Sequence, residues 1–257
     1  MDPTRSPSSL SASERAALRN DGYVVRRGLV PAALVTSARH AINASLGSNG
    51  IPPEQLPVFR ARTFTPELVT APELMALFAG PVAALAEAAL GPGNVRPPRE
   101  AQIALRFPTT GGGSPAVPHI DGISAPGNGV PPGTLFHFTA LAAVFLSDVR
   151  GDDRGNFTVW PGSHHKVAAH FRAHGPQSMV DGFPALELGA PRAIEAEAGD
   201  ALLAHYALAH GIAPNAGPDV RYAVFFRLFH RDHESFGTRV LTEPWAEWPG
   251  VVEPGTV

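Results

Sequence analysis

The sequence has no cysteine, a single lysine and no long apolar run. Without cysteine the chain forms no disulfide and offers no thiolate to a metal, so histidine and carboxylate side chains remain as ligands. Lys166 is the one lysine among 20 basic residues, the arginines are scattered, and the net charge is -3, which argues against nucleic-acid binding. No apolar stretch reaches the roughly 18 residues of a membrane span, and the first residues predict no signal peptide. We therefore expect a cytoplasmic protein.

Helical patterns dominate the first third of the chain. Ser11 to Glu14 predicts a capping box that opens a helix ending near Asn20, with Gly22 as its stop. A strand is predicted next, over 23–30. Further helices are predicted over 31–46, ending at Gly47, and over 66–78 and 81–90.

Beyond Gly93 the pattern changes to short β-compatible runs separated by Gly, Pro, Asn and Asp. Several strands at this spacing favour an all-β sandwich or barrel that carries the helices of the first third. The predicted strands are 100–107, 136–146, 156–159, 192–196, 200–205 and 221–229.

His119 and Asp121 form the most informative motif, together with His210 far downstream. Residues i and i+2 of a strand point to the same face, so His119 and Asp121 can share one ion. Strands predicted on both sides of His210 favour its return to the first pair. Two imidazoles and one carboxylate on one face of a metal leave the opposite positions open, as in non-haem Fe(II) oxygenases.

The remaining histidines carry weaker signals. His230 and Asp232 repeat the motif's spacing but lack a distant third ligand, so we predict surface polar residues there. His164 and His165 are adjacent and predict a turn, because neighbouring strand residues face opposite ways. His205 is predicted to be a core histidine bonded to the backbone.

Four segments occur in a fixed order along the chain: RNDGYVVRRGLV at 19–30, PHIDG at 118–122, the stretch from LSD to WPGSHH at 146–165, and GD through HGIAPN to Arg221 at 199–221. In this order they resemble the phytanoyl-CoA dioxygenase family, a branch of the Fe(II)/2-oxoglutarate oxygenases. The resemblance covers about residues 10–230.

The resemblance implies a mainly β fold, the double-stranded β-helix or jelly roll, with N-terminal and flanking helices. It implies one oxygenase domain over 1–257. We expect a helical portion at about 10–92, a jelly-roll core at about 93–232 and a C-terminal extension at 233–257.

Position by position, the resemblance assigns His119, Asp121 and His210 to iron and Arg221 to the distal carboxylate of 2-oxoglutarate. A guanidinium suits that carboxylate because it donates two parallel hydrogen bonds and stays charged. The implied reaction consumes O2 and 2-oxoglutarate, releases succinate and CO2, and oxidises a C–H bond. Hydroxylation is the expected outcome, and desaturation, epoxidation and ring formation stay open. Halogenating relatives lack the carboxylate, so Asp121 favours oxygen insertion or a related oxidation.

The sequence departs from the family pattern two positions after the distal histidine. Many members carry a small hydroxyl residue there, which helps to hold the co-substrate, whereas this chain has Ile212. Another donor is then needed. Gln102 and Thr158, on predicted strands near the motif, are the candidates for co-substrate contact.

The substrate is predicted to be a small organic molecule with apolar surface, of the kind found in natural-product metabolism. A CoA thioester would favour a clustered basic patch, which the scattered arginines do not supply. His137, Phe138 and Trp160 are the candidate substrate contacts. The irregular stretch 122–133 follows the two ligands directly and is predicted to be a lid.

Two other classes of function remain open at this point. A non-redox, cupin-like metal enzyme would use the same three ligands as a Lewis-acid site. A catalytically silent jelly roll that binds a small molecule would need no turnover at all. The oligomeric state is not determined by the sequence.

Overall fold

Most helices lie toward the two ends of the described chain and most strands lie in its middle, with β1 and α6 as the exceptions. The structure is a computed structural model and describes residues 9–110, 113–125 and 130–252. The helices are α1 (Ala12–Asp21), α2 (Ala32–Asn49), α3 (Leu56–Ala61), α4 (Pro72–Met75), α5 (Pro81–Leu90), α6 (Ser163–His174), α7 (His233–Phe236) and α8 (Arg239–Thr242). Short 3-10 turns are Pro53–Gln55, Pro66–Leu68 and Pro176–Met179. The strands are β1 (Tyr23–Arg26), β2 (Gln102–Arg106), β3 (Ile123–Ala125), β4 (Val130–Leu135), β5 (Ala140–Phe145), β6 (Phe157–Val159), β7 (Arg192–Ala193), β8 (Ala201–His205), β9 (His210–Ile212) and β10 (Arg221–Leu228).

Two antiparallel sheets form the β part of the described chain. The larger sheet has the strand order β1-β8-β5-β10-β2, and the smaller has the order β7-β6-β9. A bridge between His119 and His210 extends the smaller sheet beyond β9. Strands β3 and β4 form a separate hairpin. Two facing antiparallel sheets with flanking helices are the predicted jelly roll, so that prediction is confirmed.

The larger sheet is covered on both faces. Leu141, Ala143 and Phe145 of β5 belong to the core between the two sheets, whereas Ala142 and Val144 belong to the core under the helices. Because a strand covered on both sides has no polar face, β5 is buried at every position. The larger sheet is therefore rigidly packed, and side chains on its inward face have fixed positions.

The first helix agrees with its predicted signals, whereas the second is longer. Ser11 and Glu14 form the expected capping box, and Gly22 ends α1 with φ 86°, a left-handed conformation that glycine adopts without strain. The prediction that α2 ends at Gly47 is wrong, because the helix runs to Asn49 and Gly50 follows it. A helix interior tolerates one glycine where the helix buries an apolar face.

Three other predicted boundaries are wrong. The strand expected to reach residue 30 ends at Arg26. The helix expected over 66–78 is divided, because each of its prolines begins a new short turn. His164 and His165 lie in the first turn of α6 rather than in a turn between strands.

The stretch 122–133, predicted to be an irregular lid, contains β3 and the beginning of β4. Its central residues 126–129 lie outside the described residues. None of the helices in the described ranges has the length and apolarity needed to cross a bilayer.

Phe226 is a sharp test of the core under the helices. Its side chain is fully buried, and its ring centroid lies 5.5 Å from that of Phe78. We expect Phe226→Ala to lower the free energy of unfolding by about 3–5 kcal/mol, because a large buried side chain leaves a cavity. Val58→Ala, at a half-exposed position, should change it by less than about 0.5 kcal/mol. Denaturant unfolding measures both, and a loss under about 1 kcal/mol for Phe226→Ala would contradict this packing.

Candidate metal centre

Backbone pairing brings His119 and His210 side by side. The amide of His119 donates to the carbonyl of His210 at 3.0 Å, and the reverse hydrogen bond measures 2.9 Å. Directly opposed residues of an antiparallel pair project their side chains to the same face. The two imidazole centroids lie 4.6 Å apart. Two distant segments are therefore joined at the position where both present a ring.

Asp121 completes the cluster. One of its carboxylate oxygens, Oδ1, lies 3.6 Å from His210 Nε2 and 3.8 Å from His119 Nε2. All three ligand atoms lie within 4.8 Å of one another. Ligand atoms sit roughly 2.0–2.2 Å from a bound ion, so one ion reaches all three after sub-ångström adjustment. The predicted convergence of these residues is confirmed, and the donor set fits a divalent metal ion.

Backbone carbonyls fix the protonation of both rings. His210 Nδ1 lies 2.9 Å from the carbonyl of Leu208, and His119 Nδ1 lies 3.3 Å from that of Val117. A carbonyl only accepts, so each Nδ1 carries the proton and donates it. Each Nε2 is then unprotonated and turns its lone pair toward Asp121. A metal ion binds histidine in this form.

Arg227 holds the other oxygen of Asp121, with 2.6 Å between Nη2 and Oδ2. Burial alone would raise the pKa of Asp121, but Arg227, His210 and His119 together lower it well below its usual value. Desolvation and the neighbouring His210 lower the pKa of His119 to about 4. At neutral pH the cluster thus offers a carboxylate and a neutral His119.

Arg221 is buried at the opposite end of β10 from Arg227, with 3% of its surface exposed. Its Nε donates to Gly155 O at 2.8 Å and its Nη1 to Ala104 O at 2.9 Å. The remaining Nη2 is buried and has no partner among the described residues. Burial and the nearby Arg106 lower the pKa of Arg221 to about 9. An unpaired buried donor is costly, and a carboxylate is the acceptor that suits a guanidinium best.

Arg106 is a second guanidinium beside Arg221, and sequence reasoning missed it. The two residues are direct partners across β2 and β10. Gly155 packs against both stems with φ +73°, and a Cβ placed there would lie 3.0 Å from Arg106 Cβ and 3.2 Å from Arg221 Cβ. Glycine is therefore the residue that lets both arginines approach.

The two candidates for co-substrate contact lie on different faces. Gln102, Ala104 and Arg106 occupy every second position of β2. Gln102 therefore shares the inward face with Arg106. Thr158 pairs with Gly211, and the neighbouring pair is Val159 with His210. Alternation then places Thr158 on the face opposite to His210. The prediction that Thr158 contacts the co-substrate is not supported by this geometry, whereas Gln102 stays a candidate.

The three candidate substrate contacts lie in different surroundings. Phe138 is buried beneath Arg227, whose guanidinium carbon lies 5.8 Å from the ring centroid. His137 is half-buried beside it. Trp160 packs in a separate apolar cluster with Leu188 and Ala209. The structure therefore places Phe138 against Arg227, places His137 beside Tyr206 and His233, and does not bring Trp160 to the arginine.

Two other histidines singled out in the sequence, His205 and His230, make local hydrogen bonds. His205 Nε2 lies 2.7 Å from Pro244 O, which confirms a core histidine bonded to the backbone. His230 is buried, so the prediction of a surface residue is wrong, and its Nδ1 accepts from the amide of Asp232. Among the described residues, no third ligand joins that pair.

Three side chains around the cluster were missed besides Arg106. Arg227 lies at an even spacing from Arg221 on one strand, a signal that predicts a shared face. Phe157 packs its ring 5.1 Å from that of His210. Tyr206 packs its ring 4.9 Å from that of Phe138, which lies beneath Arg227. Burial raises the pKa of Tyr206, and the Asp121 carboxylate adds to this rise. The last two contacts are tertiary and leave no mark in the local sequence.

The sequence matches the family described as Phytanoyl-CoA dioxygenase (PhyH) over residues 18–223. A comparison with curated proteins gives no match. Among solved structures, the non-heme alpha ketoglutarate dependent carbocyclase SnoK from nogalamycin biosynthesis is similar, with TM-score 0.56 and 20% identity over 91% of this chain and 92% of SnoK.

Two further solved structures share the fold. HygX from Streptomyces hygroscopicus, solved with nickel and 2-oxoglutarate bound, has TM-score 0.57 and 20% identity over 86% of this chain and 87% of HygX. EctD from S. alaskensis, in its apoform, has TM-score 0.57 and 19% identity over 89% of this chain and 79% of EctD. At these identities the similarity concerns the fold.

Arg227→Met should weaken Fe(II) binding roughly 10- to 100-fold, because Asp121 loses the partner that orients it. Methionine keeps an apolar stem against Phe138, so packing is largely preserved. Anaerobic titration of the metal-free protein with Fe(II) measures the affinity, and Arg239→Ala, at an exposed pair with Glu243, is the matched control. Unchanged or tighter binding would mean that repulsion between Arg227 and the ion outweighs orientation.

Proposed function

The chain belongs to the phytanoyl-CoA dioxygenase family of Fe(II)- and 2-oxoglutarate-dependent oxidoreductases, and on this premise we propose that it hydroxylates a C–H bond of a small organic molecule. The proposal rests on two features of the protein interior. His119, Asp121 and His210 form a cluster that can hold a metal ion, and Nη2 of the buried Arg221 has no hydrogen-bond partner among the described residues.

The co-substrate assignment is supported by the shape of the Arg221 environment. Two of its three nitrogens are held by backbone carbonyls, so the third is fixed in direction before any ligand arrives. A preorganised donor loses little entropy on binding. We assign Arg221 to the distal carboxylate of 2-oxoglutarate, with Arg106 supplying the second donor that Ile212 does not. Gln102, on the same face, is the proposed neutral contact.

When bound, iron and 2-oxoglutarate supply the oxidising chemistry, in which O2 is consumed, succinate and CO2 are released, and a C–H bond is oxidised. His119, Asp121 and His210 would hold the ion from one side and leave its other side open. Arg227 keeps Asp121 ionised and turned toward the histidines. Phe157, against the ring of His210, helps to exclude water from the metal's protein side.

A small substrate with apolar surface is supported by the surroundings of the cluster. Phe136 and Val117 are exposed large apolar side chains, and Val117 lies two residues before the ligand His119. Phe136 packs its ring 5.9 Å from that of Phe229. The carbocyclase SnoK, which shares the fold, acts in nogalamycin biosynthesis by its description. We propose a natural-product intermediate as the substrate class.

The first test is binding of Fe(II) and 2-oxoglutarate without oxygen. We expect the visible charge-transfer band of the ternary complex with the wild-type protein and no band with Asp121→Ala. Arg221→Ala should weaken 2-oxoglutarate binding roughly a hundredfold, because the charge-assisted hydrogen bond from Nη2 and the positive charge of the guanidinium are lost. Arg239→Ala, an exposed arginine, should leave it unchanged. Under air, wild type and Arg239→Ala should form succinate, Arg221→Ala should form less, and Asp121→Ala should form none. Substrate conversion that continues without oxygen would instead indicate Lewis-acid chemistry.

Gly155→Ala tests the arginine pair separately from the metal ligands. A Cβ at this left-handed position meets the stems of Arg106 and Arg221 at 3.0 and 3.2 Å, so both must shift. We expect 2-oxoglutarate affinity to fall about tenfold or more while Fe(II) affinity stays within about twofold, since roughly 1.4 kcal/mol is lost at one site only. Gly151→Ala, at a glycine with φ +75° and open space around it, is the matched control. Equal losses in both affinities would contradict the assignment.

A further inference from the structure

A buried line of three titratable side chains lies outside the metal ligands and is not used by the proposed reaction. Glu247 Oε1 lies 2.7 Å from His233 Nδ1, and His233 Nε2 lies 3.0 Å from His137 Nδ1. The side chains of His233 and Glu247 are only 6% and 3% exposed. We call Glu247, His233 and His137 the array.

The hydrogen bonds of the array assign its protons. His233 Nδ1 faces the Glu247 carboxylate, and His233 Nε2 also lies 3.2 Å from the carbonyl of His137. Because both the carboxylate and the carbonyl accept, both ring nitrogens of His233 carry protons. His137 Nδ1 then accepts from His233, and the single proton of His137 stays on Nε2. The array therefore fixes His137 as a neutral N–H donor.

Tyr206 supplies a second donor beside His137. Its hydroxyl is buried and has no hydrogen-bond partner within the described residues. Its ring packs edge-on against Phe138 at 4.9 Å and against His137 at 6.3 Å between centroids. Phe138 in turn lies beneath Arg227, which binds Asp121. A buried unpaired hydroxyl is costly, so a partner is expected from outside the protein.

The electrostatic surroundings favour the neutral form of both donors. Burial raises the pKa of Tyr206, and the Asp121 carboxylate raises it further. Burial and His233 lower the pKa of His137, while Glu247 opposes the change. Both side chains thus remain neutral donors at physiological pH.

Resting on the proposed function, we propose that Tyr206 Oη–H and His137 Nε2–H form a subsite for one oxygen atom of the substrate. His233 and Glu247 are positioning residues that act through His137. Two donors on neighbouring rings would match a carbonyl or hydroxyl oxygen, which offers two lone pairs. The rings of Phe136, Phe138 and Phe229 around them match an apolar skeleton. The substrate class is therefore a ketone or alcohol on a largely apolar frame.

The array is tested by nitrogen NMR of isotope-labelled histidine in the protein loaded with Zn(II) and 2-oxoglutarate. In the wild type we expect His137 to be the Nε2–H tautomer and His233 to be doubly protonated. Glu247→Gln removes the charge that holds the second proton on His233, so His137 should switch to the Nδ1–H tautomer. Glu247→Asp should restore the wild-type signals. A His137 tautomer that is Nδ1–H in the wild type, or that ignores Glu247→Gln, overturns the array's role.

The subsite is tested with α-tetralone and tetralin, a ketone and its hydrocarbon of similar shape, titrated into the same loaded protein. We expect the ketone to bind about tenfold more tightly, because its oxygen accepts the hydrogen bonds that the hydrocarbon cannot accept. Tyr206→Phe and His137→Phe should abolish the difference. Tyr222→Phe, whose hydroxyl bonds to Asn43, should retain it. Equal binding of the two probes, or binding of neither, overturns the subsite.

The two proposals fail in different measurements. If the wild-type protein forms no charge-transfer complex with Fe(II) and 2-oxoglutarate, the proposed function fails. If that complex forms and the ketone has no advantage, the subsite alone is wrong.

Discussion

The reciprocal hydrogen bonds between the backbones of His119 and His210 are the constraint on which the rest of the site depends. They join two segments far apart in the sequence, and they present both imidazoles to the same side. The carbonyls of Val117 and Leu208 then hold each Nδ1, so both Nε2 atoms face one carboxylate. A metal site is thus prepared by main-chain pairing before any ion binds, and the side chains need only small adjustments.

Strand β10 carries two arginines, Arg221 and Arg227, on the face turned toward the metal-binding residues. Arg221 and Arg227 share its inward face, and among the described residues only Arg227 has a carboxylate partner. Arg227 neutralises Asp121 and keeps it available to a metal. Arg221 is held by the neutral carbonyls of Gly155 and Ala104. The two ends of one strand therefore differ in charge balance, and on the proposed function the Arg221 end binds the keto acid.

The ligand cluster and most strands were predictable because their signals are local or periodic. The i, i+2 spacing of His119 and Asp121 indicates a shared face, and β10 has a buried apolar run, AVFF, at its centre. The hairpin of β3 and β4 was missed because β4 is mostly exposed and contains two prolines and a glycine, which predict a loop. Helix α6 was missed because Pro161 and Gly162 before it read as a turn, although Val167 and Phe171 have helical spacing.

Contacts between distant segments were not predictable by the same means. His137 precedes β5, His233 begins α7 and Glu247 lies near the end of the described chain, so no spacing rule links them. Arg106 faces Arg221 only through the register of β2 on β10. Two like charges side by side are unfavourable in isolation, and an isolated sequence gives no reason to expect them. On the proposed function, the two negative charges of 2-oxoglutarate would offset the repulsion between the two guanidinium groups.

The buried guanidinium of Arg221 links folding to ligand binding. A buried cation with a donor that no described residue accepts from lowers the stability of the native state, and a ligand that binds only the native state raises that stability as its concentration increases. On the proposed function that ligand is 2-oxoglutarate, so the free energy of unfolding would rise with the concentration of 2-oxoglutarate.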